Sequence, residues 1–225
     1  MMVDIFSSFD PATASIFNFS PSLFWAMNII TIALIHPMFW AAPSQTTWAL
    51  SLPVMLMYEQ STRTATKDLK GLTSLLVSLY LLMTLTNFMG VIPYVFSVSS
   101  HLFFTLSFGL PVWIGLIISS MKFSTTTTLA SLLPSGAPAW LNPFLILIET
   151  VSTIVRPITL SFRLAANMSA GHIVLTLMGV YLSFTFLCLN WVPTIFLFLI
   201  QAGYTAFELG ICIIQAYIFC LLLSL

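Results

Sequence analysis

Charge is missing from long stretches of this chain, and those gaps limit what it can become. No charged residue lies between Asp10 and Glu59, between Lys70 and Lys122, or between Arg163 and Glu208. Each gap can hold an apolar helix of about 20 residues, the length that a ~30 Å hydrocarbon core requires. With 59% of its 225 residues hydrophobic and 5% charged, the chain has far too little polar surface for a water-soluble fold, where about a quarter of residues are charged. An all-α, multi-spanning membrane protein is expected.

The same composition excludes other classes. Net charge is zero and no basic patch exists, so nothing is available to neutralise nucleic-acid phosphates. Cys188, Cys212 and Cys220 lie in apolar runs without CxxC or Cys/His spacing, so they read as small buried hydrophobes rather than metal ligands. No cofactor or metal is expected. The N-terminal MMVDIFSSFDPATAS carries Asp4 and Asp10 but no Lys or Arg, unlike a secretory signal or an Arg-rich transit peptide. If the protein is organellar, it is expected to be organelle-encoded.

About five membrane-embedded helices and one interfacial amphipathic helix are expected in a single membrane domain spanning residues 1–225. Within 1–71, a first span runs from Ser22 to Ala42 and stops at Pro43. An interfacial segment follows, with Trp48, Leu52, Met55 and Leu56 on one face ahead of a polar stretch containing Arg63, Lys67 and Lys70. Residues 72–122 form a helical hairpin from the spans Leu72–Val95 and Leu102–Met121. The STTTTLASLLPSGAPAW segment reads as a loop. Residues 143–225 form a long hairpin, with Asn142-Pro143 starting its first arm and Asn190 to Pro193 making the turn. Helical throughout, that first arm would be about 70 Å long, so it must tilt steeply, bend, or break near Gly171 or Gly179. Arg63, Lys67, Lys70 and Lys122 fall on one side of this layout, the cytoplasm or matrix by the positive-inside rule.

A polar line runs through the last two arms. Glu149, Arg156 and Arg163 recur every seven residues and Asn167 follows Arg163 by four, which places them close to one helical face. Gln201, Glu208 and Gln215 repeat the spacing on the second arm. A turn centred near Asn190 puts His172 and Glu208 at similar depth and Arg163 near Gln215. A charge in mid-span costs ~2.5–3.5 kcal/mol on insertion scales and usually marks an ion route or proton relay. Around Arg163, the small residues Ala165, Ala166, Ser169, Ala170 and Gly171 permit close approach by another helix. His172 and Glu208 can exchange protons near neutral pH in a suitable setting, whereas arginine stays protonated.

The segments RPITLSFRLAANMSAGHIVL and ELGICIIQAYIF resemble the signature of subunit a of F-type ATP synthases, in its mitochondrial form. TNFMGVIPY adds a third match, and the likeness runs in order from about Leu72 to the C-terminus. The resemblance implies a stationary subunit lying against a rotating ring of c subunits, proteolipids with a buried carboxylate, alongside other membrane and peripheral-stalk subunits. It implies that Arg163 separates two proton half-channels. His172 and Glu208 would belong to the half-channel facing the intermembrane space, Glu149 to the matrix-side one, and Asn167 and Gln215 would flank the arginine. Bacterial members carry an acid and a histidine where His172 and Glu208 stand, so the order here favours a mitochondrial origin. The implied place is the mitochondrial inner membrane, with the N-terminus in the intermembrane space and the C-terminus in the matrix.

Plainer readings remain beside these. Arg163 could pair with Glu149 as a structural ion pair. Arg156, one residue before Pro157, reads better as an anchor of its helix than as a proton carrier. Glu149 lies near a helix start, where the dipole favours an acid regardless of function. A proton-coupled transporter would often show inverted repeats, and none is visible. A structural membrane anchor would tolerate loss of Arg163. There is no GxxxxGK[ST] loop for nucleotide chemistry, so a non-catalytic channel subunit is expected.

Overall fold

A computed structural model describes residues 45–64, 69–92, 95, 97–133 and 139–224, and every regular element among them is helical. The helices are α1 (Gln45–Arg63), α2 (Leu72–Val91), α3 (Leu102–Phe123), α4 (Thr125–Ser131), α5 (Asn142–Leu187) and α6 (Trp191–Ser224). Short 3₁₀ turns occupy Val98–Ser100 and Ala139–Leu141. Helices α2, α3, α5 and α6 are each long and apolar enough to cross a membrane. The span expected at Ser22 to Ala42, and Lys67, lie outside the described residues.

The boundaries differ from the expected ones for local reasons. Helix α2 stops at Val91 rather than Val95 because Ile92, which precedes Pro93, is extended with ψ 130°, the conformation that a following proline imposes. The expected loop after Lys122 contains the short helix α4, preceded by an extended Ser124. Its hydroxyls bond back to the preceding turn: Thr128 reaches the carbonyls of Ser124 and Thr125, and Ser131 reaches that of Thr128. Such back-bonding gives hydroxyl residues a place in a helix without water. Helix α5 continues unbroken through Gly171 and Gly179. One glycine weakens a helix by only about 1 kcal/mol relative to alanine, so tilt or gentle curvature, not a break, must fit its 46 residues to the bilayer.

The described residues group into two compact units. The first holds α1, α2, the part of α5 from Leu164, and α6. Its core contains Met57, Leu76, Met83, Leu164, Ala216 and Phe219. The thiol of Cys220 reaches the carbonyl of Leu76 at 3.7 Å, and the Asn87 amide reaches the carbonyl of Cys212 at 3.5 Å, so α2 and α6 run antiparallel. Trp48, Leu52, Met55 and Leu56 of α1 all point outward, while Met57 and Ser61 are fully buried. That division suits a helix with one face toward lipid. Cys212 and Cys220 are buried as expected, but Cys188 is exposed because it falls in the α5–α6 turn.

That turn sets the hairpin. Leu189 adopts a left-handed conformation at φ 54°, and both the backbone N–H and the hydroxyl of Thr194 bond the Asn190 carbonyl as α6 begins. The resulting register places Met168 beside Cys212, with their sulfurs 3.7 Å apart, and Gly171 beside Glu208. The equal depth expected for His172 and Glu208 is therefore met to within one residue.

The second unit runs from Leu102 to Arg163. Thr105 of α3 donates to the carbonyl of Ser161 at 3.3 Å, and Trp113 donates to that of Thr153 at 3.1 Å. The two bonds lie eight residues apart on each helix and in opposite directions, which fixes α3 antiparallel to the first half of α5.

Candidate functional site

Among the described residues of the first unit, the most enclosed acid is Glu208, only 3% exposed. Its carboxylate fills the space where residue 171 has no side chain. A Cβ there would overlap Cδ and Oε1 of Glu208 and lie 2.7 Å from Oε2. A carboxylate removed from water needs hydrogen-bonding groups, because burying an unpaired charge costs several kcal/mol. The Tyr204 hydroxyl, one turn back on α6, is within hydrogen-bonding reach of it. His172, adjacent to Gly171 and half-buried, bonds the backbone of Gly90 on α2. Three helices thus meet at this level.

One turn along, the character changes. Met168 and Cys212 are buried against each other. Gly90 permits this contact, since a Cβ there would come within 2.8 Å of the Met168 methyl. The polar group at this level comes from α2: Asn87 is fully buried, and its Oδ1 has no partner among the described residues. Sequence reasoning missed Tyr204, Gly90, Met168 and Asn87. Tyr204 had a local signal, lying four residues before Glu208, and Asn87, Gly90 and Met168 lie within the segments that carry the family likeness.

In the second unit, Arg156 and Glu149 form an ion pair at 3.9 Å, with side chains 54% and 40% exposed. Arg156 also lies over the Trp113 ring, 5.9 Å from its centroid. Glu149 therefore takes Arg156, not Arg163, as its cation. Arg163, the last residue of this unit, is exposed and has no carboxylate within salt-bridge distance among the described residues.

Asn167 and Gln215, both in the first unit, are half-exposed. The small residues beyond Arg163 divide: Ala166 and Ala170 are exposed, whereas Ala165 and Gly171 face inward. Among the described residues, no three His, Cys, Asp or Glu side chains gather as a metal site would require.

Residues 15–225 match the family model described as "ATP synthase A chain". The chain is 38% identical to ATP synthase subunit a of Drosophila melanogaster over 227 residues, covering 100% of this chain and 97% of that one. It is 38% identical to the Locusta migratoria protein of that name over 233 residues, again 100% and 97% of the two chains. The Artemia franciscana protein of that name is 36% identical over 225 residues, 100% and 98% of each.

Proposed function

The chain belongs to the ATP synthase A chain family, and on that premise we propose that it is the stationary proton-translocating subunit of a rotary F-type ATP synthase in the mitochondrial inner membrane. It works with other subunits of that complex, and its neighbour in the bilayer is a ring of small proteolipid chains with buried carboxylates. Nucleotide chemistry belongs to other subunits.

The observation that carries this reading is Arg163: a permanent cation, turned outward from an apolar helix, with no acid beside it among the described residues. Lipid tails offer such a group nothing, so it needs an acidic partner or a wet cavity. A ring carboxylate is that partner. Ala166 and Ala170, exposed at the i+3 and i+7 positions from Arg163, leave room for a helix to approach.

A fixed guanidinium favours the ionised form of a carboxylate passing it. The carboxylate sheds its proton on one side of Arg163 and takes another on the far side, so flow is coupled to rotation. The positive charge also repels a proton moving straight through. Glu208 and His172 serve the half-channel on the intermembrane-space side, and Glu149 serves the matrix side. Asn167 and Gln215 flank the arginine, and Arg156 holds Glu149. The N-terminus lies in the intermembrane space and the C-terminus in the matrix.

Replacing Arg163 with Ala in the assembled complex tests this. ATP-driven proton pumping should vanish and passive leak should rise, with the chain still present in normal amount. A variant that pumps normally would sink the proposal.

A further inference from the structure

Pro157 lies inside α5. A proline has no backbone N–H, so the carbonyl four residues earlier, that of Thr153, loses its helical donor. In an apolar setting an unpaired carbonyl is costly. Here the gap is filled from another helix: the indole N–H of Trp113 donates to the Thr153 carbonyl at 3.1 Å. Its ring then lies beneath the Arg156 guanidinium, 5.9 Å from centroid to Cζ. Arg156 in turn reaches Glu149 at 3.9 Å. Glu149, Thr153 and Arg156 sit at i, i+4 and i+7 on α5, a single face.

We propose that Trp113 is a positioning residue for proton transfer at Glu149. Its N–H completes the backbone bond that Pro157 leaves open, and its ring seats Arg156 against the Glu149 carboxylate. The inference rests on the reading of Glu149 as a half-channel acid. Trp113 touches no proton itself. Both of its contacts are needed: the N–H sets where the ring lies, and the ring, through its negative face, holds a planar cation that would otherwise wander over an exposed surface. The Thr105–Ser161 bond, further along the same helix pair, holds the two helices in register independently, so a change at Trp113 acts locally.

The test is a mutant cycle in the assembled complex, read by ATP-driven proton pumping and by amide hydrogen exchange over residues 150–165. Trp113→Phe keeps a ring and removes the N–H. It should speed exchange around Thr153 and cut pumping about three- to tenfold, with the amount of assembled chain unchanged. Adding Pro157→Ala supplies a backbone N–H to Thr153 and should return both readouts most of the way to wild type. Trp113→Leu lacks the ring as well, so Pro157→Ala should restore its exchange but not its pumping. In a Glu149→Gln background, Trp113→Phe should cost no further pumping.

Wild-type exchange in Trp113→Phe, or a defect that Pro157→Ala leaves untouched, would overturn the bond between Trp113 and the proline gap. Pumping fully rescued in Trp113→Leu with Pro157→Ala would overturn the role of the ring. Normal pumping by Glu149→Gln alone would overturn the proton role of Glu149 and the positioning role with it, and the exchange data would show that the fault lay in that reading and not in the bond.

Discussion

Glu208 and Glu149 are the same residue in opposite surroundings. Glu208 is enclosed by three helices: Gly171 leaves it room, the Tyr204 hydroxyl is in reach, and His172 is held to Gly90 nearby. Glu149 sits on the outside of one helix, and its cation, Arg156, comes from that same helix. The first site is a product of packing and should fail when geometry changes. The second resembles a surface ion pair, steadied from outside by one tryptophan, and should weaken by degrees as its supports are removed.

The comparison is most easily broken at Gly171. The atoms that a Cβ there would strike are the far end of a flexible Glu208 side chain, so Gly171→Ala should leave the helix intact and displace the carboxylate. Proton pumping should fall about ten- to hundredfold, the scale for a group displaced by about 1 Å, while the complex still assembles. Normal pumping would show that the position of Glu208 is not critical.

A smaller effect is expected where the hairpin turns. Leu189 is left-handed at φ 54°, a conformation that costs a side-chain-bearing residue roughly 1–2 kcal/mol and glycine almost nothing. Leu189 is also exposed, so little packing is lost, and Leu189→Gly should stabilise the chain by about 1 kcal/mol in thermal or denaturant unfolding of the solubilised complex. A destabilised variant would mean that the turn needs its leucine, and the register that brings Gly171 to Glu208 would then depend on it.

The smallest effect belongs to the ion pair. With both side chains about half exposed, Arg156→Met should change stability by less than about 1 kcal/mol, the range of exposed pairs. A loss beyond about 2 kcal/mol would show that Glu149 sits in a low-dielectric setting like that of Glu208, and the contrast between the two acids would collapse.

Much of this could be read along the chain. Gaps between charges locate α2 and α3 to within a few residues, and the missed end of α2 follows from Pro93. Asn190 as the turn puts His172 level with Glu208, because two antiparallel helices of constant rise count equally away from their connection. The small residues after Arg163 were harder. They read together as a docking face, yet Gly171 and Ala165 face inward and Ala166 and Ala170 outward. A run of small residues contains every direction around a helix, and only the neighbours that pack against it decide which side is inside.

The sequence alone therefore determined the class of protein, the long apolar helices among the described residues, the hairpin depth and the family, since each depends on hydrophobic length, charge position or a local motif. Only the tertiary structure decided that Glu208 fills the space at Gly171, that Asn87 and Gly90 join that region from α2, and that Trp113 answers the gap left by Pro157. Those contacts join residues some 37 to 125 positions apart, and periodicity within one helix carries no information about which distant side chain will arrive to meet it.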